Sequence, residues 1–105
     1  MENLEKALNW LNENKNELIN ATKSFHASII AAEMLETVES YYKLETFGVE
    51  GWSLDCGNKG VNYLNSGDPH VPTIFAFATF DTIEFKITTL EEVLNSDWFL
   101  PLEDN

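Results

Sequence analysis

Near residue 50 the spacing of apolar residues changes from helical to alternating, and this change most narrows the folds open to the chain. Before it, Leu4, Ala7, Leu8, Leu11, Leu18 and Ile19 recur every three or four positions, with Glu5, Asn9, Asn12 and Asn16 on another face. That spacing matches the turn of an amphipathic helix. The asparagines weaken it, because their side chains compete for backbone hydrogen bonds. Around residues 20–24 the phase is lost, and Thr22 or Ser24 offers an N-cap for a second helix. The second helix gathers Ala27, Ile30, Ala31, Met34, Leu35, Val38, Tyr41 and Tyr42 into one stripe, opposite Glu33, Glu36, Ser40 and Lys43. Gly48, just past Phe47, is expected to end it.

From residue 50 the period is two. Trp52, Leu54 and Cys56 alternate with Ser53 and Asp55, as in a half-buried strand. Gly57-Asn58-Lys59-Gly60 reads as a turn into a return strand over residues 61–65, and Ser66-Gly67-Asp68-Pro69 as the next turn, with Gly67 at positive φ and Asp68 closing an Asx turn. Residues 73–80 form an apolar, aromatic-rich run expected at the centre of a sheet. Asp81-Thr82 reverses the chain into residues 83–87, which alternate cleanly. Thr89-Leu90-Glu91-Glu92 has the Thr-to-Glu spacing of a capping box and opens a short helix to about Asn95. The apolar tail of Trp98, Phe99, Leu100, Pro101 and Leu102 is expected to dock on the body. Helices followed by strands indicate the α+β class: two N-terminal helices packed on a three- to four-stranded antiparallel sheet, then a short C-terminal helix. A length of 105 residues suits one core, so residues 1–105 are read as a single domain.

Charge narrows the function classes. Eighteen Asp and Glu oppose six Lys, with no Arg, for a formal net charge of −12. Proteins that bind DNA or RNA gain affinity by neutralising phosphates with Lys and Arg, and this chain is repelled by them instead. The same field attracts basic surfaces and speeds encounter with them. It is uneven: residues 1–47 hold eight acids and four Lys, residues 48–105 ten acids and two Lys. The acids Glu50, Asp55, Asp68, Asp81 and Glu84 fall in or beside expected strands and turns of the more acidic half, and are the candidate partner-binding residues. The lone Cys56 precludes a disulfide within the chain and fits a reducing compartment. Met1-Glu2-Asn3-Leu4-Glu5 lacks the basic start of an export signal, and no run approaches the ~20 apolar residues of a membrane span. A cytoplasmic location is expected.

Chemistry-bearing motifs are sparse. Cys56, Asp68 and His70 are the one grouping with nucleophile, acid and base, but nothing local activates the thiol, and Cys56 falls on the apolar side of its strand, where it packs as a small hydrophobe. His26 and His70 are far apart and lack companions at metal-ligand spacing. Gly57-Asn58-Lys59-Gly60 lacks the spacing and the Ser or Thr of a phosphate loop. Glu91-Glu92 suits the first turn of a helix, and Glu103-Asp104 reads as solvated tail. No enzyme activity, metal or cofactor is expected.

The segment Tyr63-Leu64-Asn65-Ser66-Gly67-Asp68-Pro69-His70-Val71-Pro72-Thr73-Ile74 resembles a Tyr-Leu-Asn-x-Gly-Asp stretch, followed by Pro-Thr and an aliphatic residue, found in small uncharacterised phage and mobile-element proteins. The resemblance spans about a dozen residues. It implies a phage-like origin and brings no catalytic residues. Size, charge and this likeness point to a small acidic protein-binding inhibitor of the phage anti-defence or immunity type. Its partner would be a basic protein, such as a nuclease or other nucleic-acid-binding enzyme, with no direct nucleic-acid or membrane contact and homo-oligomers possible. The alternative is a small-ligand-binding or structural accessory module, with an aromatic pocket near Trp52, Tyr63 and Phe75. Electrophoretic mobility shift at micromolar protein and physiological salt is expected to show no complex with duplex or single-stranded nucleic acid; a retarded band would contradict the charge argument.

Overall fold

The periodicities fold as their spacing dictates. The computed structural model describes residues 2–21, 27–54, 59–79 and 82–97. Helices α1 (Glu2–Ala21) and α2 (Ala27–Tyr41) come first. Strands β1 (Val49–Leu54), β2 (Lys59–Leu64), β3 (Thr73–Ala78) and β4 (Ile83–Thr88) follow, and helix α3 (Leu90–Leu94) closes the described chain. The strands form one antiparallel meander in the order β1-β2-β3-β4. This is the α+β arrangement expected, with four strands in the sheet. The Cα radius of gyration is 13.2 Å, close to the ~13 Å of a compact 100-residue domain. None of the described helices is long and apolar enough to cross a membrane.

Alternation divides each strand between two layers. Towards the helices point Leu64, Ile74, Ala76, Ala78, Ile83 and Phe85, which bury against Ala7 and Leu11 of α1 and Ile30, Ala31, Met34, Leu35 and Val38 of α2. Away from them point Val61, Tyr63, Phe75 and Phe77, which join Val93 of α3 in a second apolar cluster. The sheet is therefore buried on both sides at its centre, and all six residues of β3 are buried. The buried Thr73 hydroxyl donates to the Leu64 carbonyl at 2.9 Å, so its polar group is satisfied.

Lys59 and Gly60 belong to strand β2 and not to the turn expected there, and two further expectations are corrected. Gly48 does not end α2, which stops at Tyr41. Lys43, at φ +52°, takes the left-handed position. Its N–H donates to the Ser40 carbonyl and that of Leu44 to the Glu39 carbonyl, the paired bonds of a Schellman terminus. Gly48, at φ +97°, instead turns the chain into β1. Second, Tyr41 is 75% exposed despite its place in the stripe, because it lies in the last turn of α2. Glu39 ties the connection down: its carboxylate accepts from the Thr46 hydroxyl and, at 3.0 Å, from the Gly48 N–H.

The Thr89 half of the expected capping box forms, with Thr89 Oγ1 accepting the Glu92 N–H at 3.2 Å. The Glu92 carboxylate accepts from the Thr88 hydroxyl at 2.7 Å. Cys56, His26 and the expected docking tail over residues 98–102 lie outside the described residues. Leu35 is fully buried in the helix–sheet core and Glu36 exposed beside it. Leu35→Ala is expected to cost about 2–4 kcal/mol in urea denaturation by leaving a cavity, and Glu36→Ala under about 0.5 kcal/mol. Equal losses would contradict the helix phase.

Candidate functional site

The sheet face that bears α3 carries two cross-strand rows. Trp52, Val61, Phe77 and Glu84 stand opposite one another in one, and Glu50, Tyr63, Phe75 and Lys86 in the other. Because neighbouring strands lie about 4.8 Å apart, rings on adjacent strands meet. Trp52 stacks on Tyr63 with centroids 5.6 Å apart, and Tyr63 on Phe75 at 4.8 Å. Phe75 lies 6.2 Å from Phe77, and Lys86 Nζ sits 5.4 Å over the Phe77 ring. Phe75 is fully buried in this ladder and Trp52, on edge strand β1, is 42% exposed. Trp52, Tyr63 and Phe75, the rings around which a pocket was expected, stack on one another. A cleft of about 370 Å³ opens beside them, lined by Phe77, Glu84, Lys86, Thr88, Glu92 and Val93 among others.

Each row ends in an acid. Glu50 stands on edge strand β1 and Glu84 on edge strand β4, both exposed and on this same face. Three strand spacings and a two-residue offset place their Cα atoms roughly 16 Å apart. Asp68 is held separately in the β2–β3 loop, where its Oδ1 accepts the His70 N–H at 2.9 Å. Gly67 has the positive φ expected of it, +82°. The His70 ring turns to Glu91, Nδ1 to Oε2 3.1 Å, and not to Asp68. The five acids singled out from the sequence thus form no single cluster among the described residues: Glu50 and Glu84 share a face, Asp68 closes a turn, and Asp55 and Asp81 lie outside the described residues. No group of three or more His, Cys, Asp or Glu suited to a metal ion occurs among the described residues.

Glu33 and Glu36 are acids that the sequence reading placed on a solvated helix face. In the fold they border a second cleft, of about 290 Å³, between α2 and β1. Its floor is Gly51, Ser53 and Asn62, and Asn62 Nδ2 donates to the Ser28 carbonyl of α2 at 3.1 Å. No local signal reveals this role, because it depends on β1 lying at the edge of the sheet beneath α2. Comparison with protein-family models, curated proteins and solved structures returns no match for the chain.

The ladder has a titratable member. Burial pushes the Tyr63 phenol above its usual pKa of 10.0, and the negative charge of Glu50 opposite pushes it the same way. The unfolded chain therefore loses this proton first as pH rises, so the folded state is the more protonated and stability falls. The contribution is intact below pH 10.0 and fades as pH climbs towards the folded value. The wild-type protein is expected to lose stability relative to Tyr63→Phe above about pH 10 in denaturant titrations, with a constant difference between about pH 7 and 9. Parallel curves through pH 11 would contradict the buried, acid-flanked phenol.

Proposed function

We propose that this protein binds a basic surface of another protein and blocks it, as an inhibitor of a nucleic-acid-handling enzyme of the phage anti-defence or immunity type, acting in the cytoplasm. One observation carries this reading: exposed carboxylates on a stiff, ring-stacked sheet, where Lys86 of the same face sits over the Phe77 ring. The ion pairs described are Lys6–Glu2 at 3.7 Å and His70–Glu91 at 3.1 Å, and among the described residues neither Glu50 nor Glu84 has an ion-pair partner. Edge positions on strands hold these charges at fixed spacing, so binding needs little ordering of the backbone. Enzymes that handle nucleic acid present basic grooves, and a body of net charge −12 competes for them. The stacked rings supply the rigidity, and the likeness of residues 63–74 to phage proteins supplies the biological setting.

The test is charge reversal against the partner recovered by affinity capture from the source organism. The triple variant Glu50→Lys, Asp68→Lys, Glu84→Lys is expected to slow association about tenfold or more, because charges at an interface act mainly on the on-rate. The matching triple on α1, Glu5→Lys, Glu13→Lys, Glu17→Lys, is expected to change it less than about threefold. Equal effects of the two sets would reject a directed acidic surface.

A further inference from the structure

We infer that the outer edge of β1 is a docking strand, taking an extended, Lys- or Arg-bearing segment of the partner by β-sheet addition; this rests on the reading of the protein as an acid-led protein binder. Among the described residues, strand order leaves β1 bonded to β2 alone. The Phe47 N–H donates to the Asn65 carbonyl, and the Asn65 N–H to the Gly48 carbonyl, both at 2.8 Å. These bonds place residue 65 in a hydrogen-bonded position. Antiparallel pairs alternate, so Glu50 and Trp52 also bond to β2, and the backbone groups of Val49, Gly51 and Ser53 point outwards. An edge of this kind is a template for another chain unless something blunts it.

The two edges differ. β4 carries the exposed Lys86 and Glu84 along one face, the charged guard common on protected edges. β1 has no Lys and no Pro, and its helix side offers the small Gly51 and Ser53. A Cβ on Gly51 would meet the Val61 carbonyl oxygen at 2.1 Å, so that position stays bare. Beside this edge lies the 290 Å³ cleft between β1 and α2, walled by Ile29, Glu33 and Glu36.

Charge selects the occupant. Side chains of an added strand alternate between its two sides. Those on the helix side meet Glu33, Glu36 and the 46%-exposed Ile29, and those on the other side meet Glu50. Basic residues on either side therefore find carboxylates. A second copy of this chain would bring the same carboxylates against themselves, at −12 on each partner.

The experiment uses the full chain with two peptides of equal charge. One is a seven-residue Thr-Lys-Val-Lys-Val-Lys-Thr sequence, and the other, Thr-Lys-Pro-Pro-Lys-Lys-Thr, keeps the charge but sets prolines at both parities, so neither alternate set of its residues can complete a ladder with β1. Amide hydrogen exchange by NMR is expected to slow at least tenfold at Val49, Gly51 and Ser53 with the first peptide, with the amides of β4 unchanged. The Pro-containing peptide is expected to bind at least tenfold more weakly. Ser53→Pro removes an outward donor but no bond to β2, and is expected to weaken binding of the first peptide at least tenfold; so is Glu33→Lys with Glu36→Lys. Protection appearing on β4, or equal binding of the two peptides, would overturn the inference. So would protection of β1 that grows with protein concentration alone, which marks a second copy. If Ser53→Pro does not fold, the exchange map of the wild-type protein decides the matter by itself. Partner binding that responds to charge reversal but not to loss of the β1 edge sinks strand addition only, and binding indifferent to both sinks the acidic-surface reading as well.

Discussion

Burial of β3 from both sides is the constraint on which the remaining structure depends. Ile74, Ala76 and Ala78 face the helices, and Phe75 and Phe77 face the other way, with none of them more than 8% exposed. The two alanines leave room for α1 and α2 to approach, and Phe85 on β4 fills the core beside them. Full burial of a large apolar side chain contributes about 1.5–3 kcal/mol, so a strand buried along its length anchors both layers. Its aromatic side then stacks outwards through Tyr63 to Trp52, with ring pairs adding about 0.5–1.5 kcal/mol each. The acids at the two edges ride on this stiffened sheet.

The passage from helices to sheet is held by backbone and carboxylate chemistry. The Schellman terminus satisfies the carbonyls of Ser40 and Glu39, and the Glu39 side chain then binds Thr46 and Gly48. The chain enters β1 at a defined angle, Phe47 packs against Gly67 of the β2–β3 loop, and that loop meets α3 through the Glu91 N–H to the Pro69 carbonyl at 3.0 Å. Glu39, Asp68 and Glu92 thus hold local structure with their carboxylates, and the functional reading rests first on Glu50 and Glu84 at the sheet edges.

Element type and order were legible in the sequence because period follows burial: Ile30, Leu35 and Val38 recur at helical spacing, and Ile83, Phe85 and Ile87 at alternating spacing. The capping role of Thr89 was legible because a cap is a local matter. Lys43 was not, since a Lys in the left-handed region is disfavoured and only the surrounding chain imposes it. Nor was the outward side of Trp52, because alternation fixes which residues share a face but not which face the helices cover. The candidate acids were legible only as charge. Their separation into Glu50 and Glu84 on one face, Asp68 in a turn, and Glu33 and Glu36 along the β1 cleft is set by strand order and by α2 lying over β1.

On the proposed reading, two-sided burial, ring stacking and exposed edge acids act together, and a rigid acidic sheet would meet a basic protein surface by long-range attraction. That attraction is screened within about 10 Å at 0.1 M salt and about 3 Å at 1 M. The direct measurement is the association rate of the wild-type chain with its captured partner, followed by stopped flow from 50 to 500 mM salt. A fall of about tenfold or more, with the dissociation rate nearly constant, is the result this account predicts. An association rate that holds level across that range would contradict it.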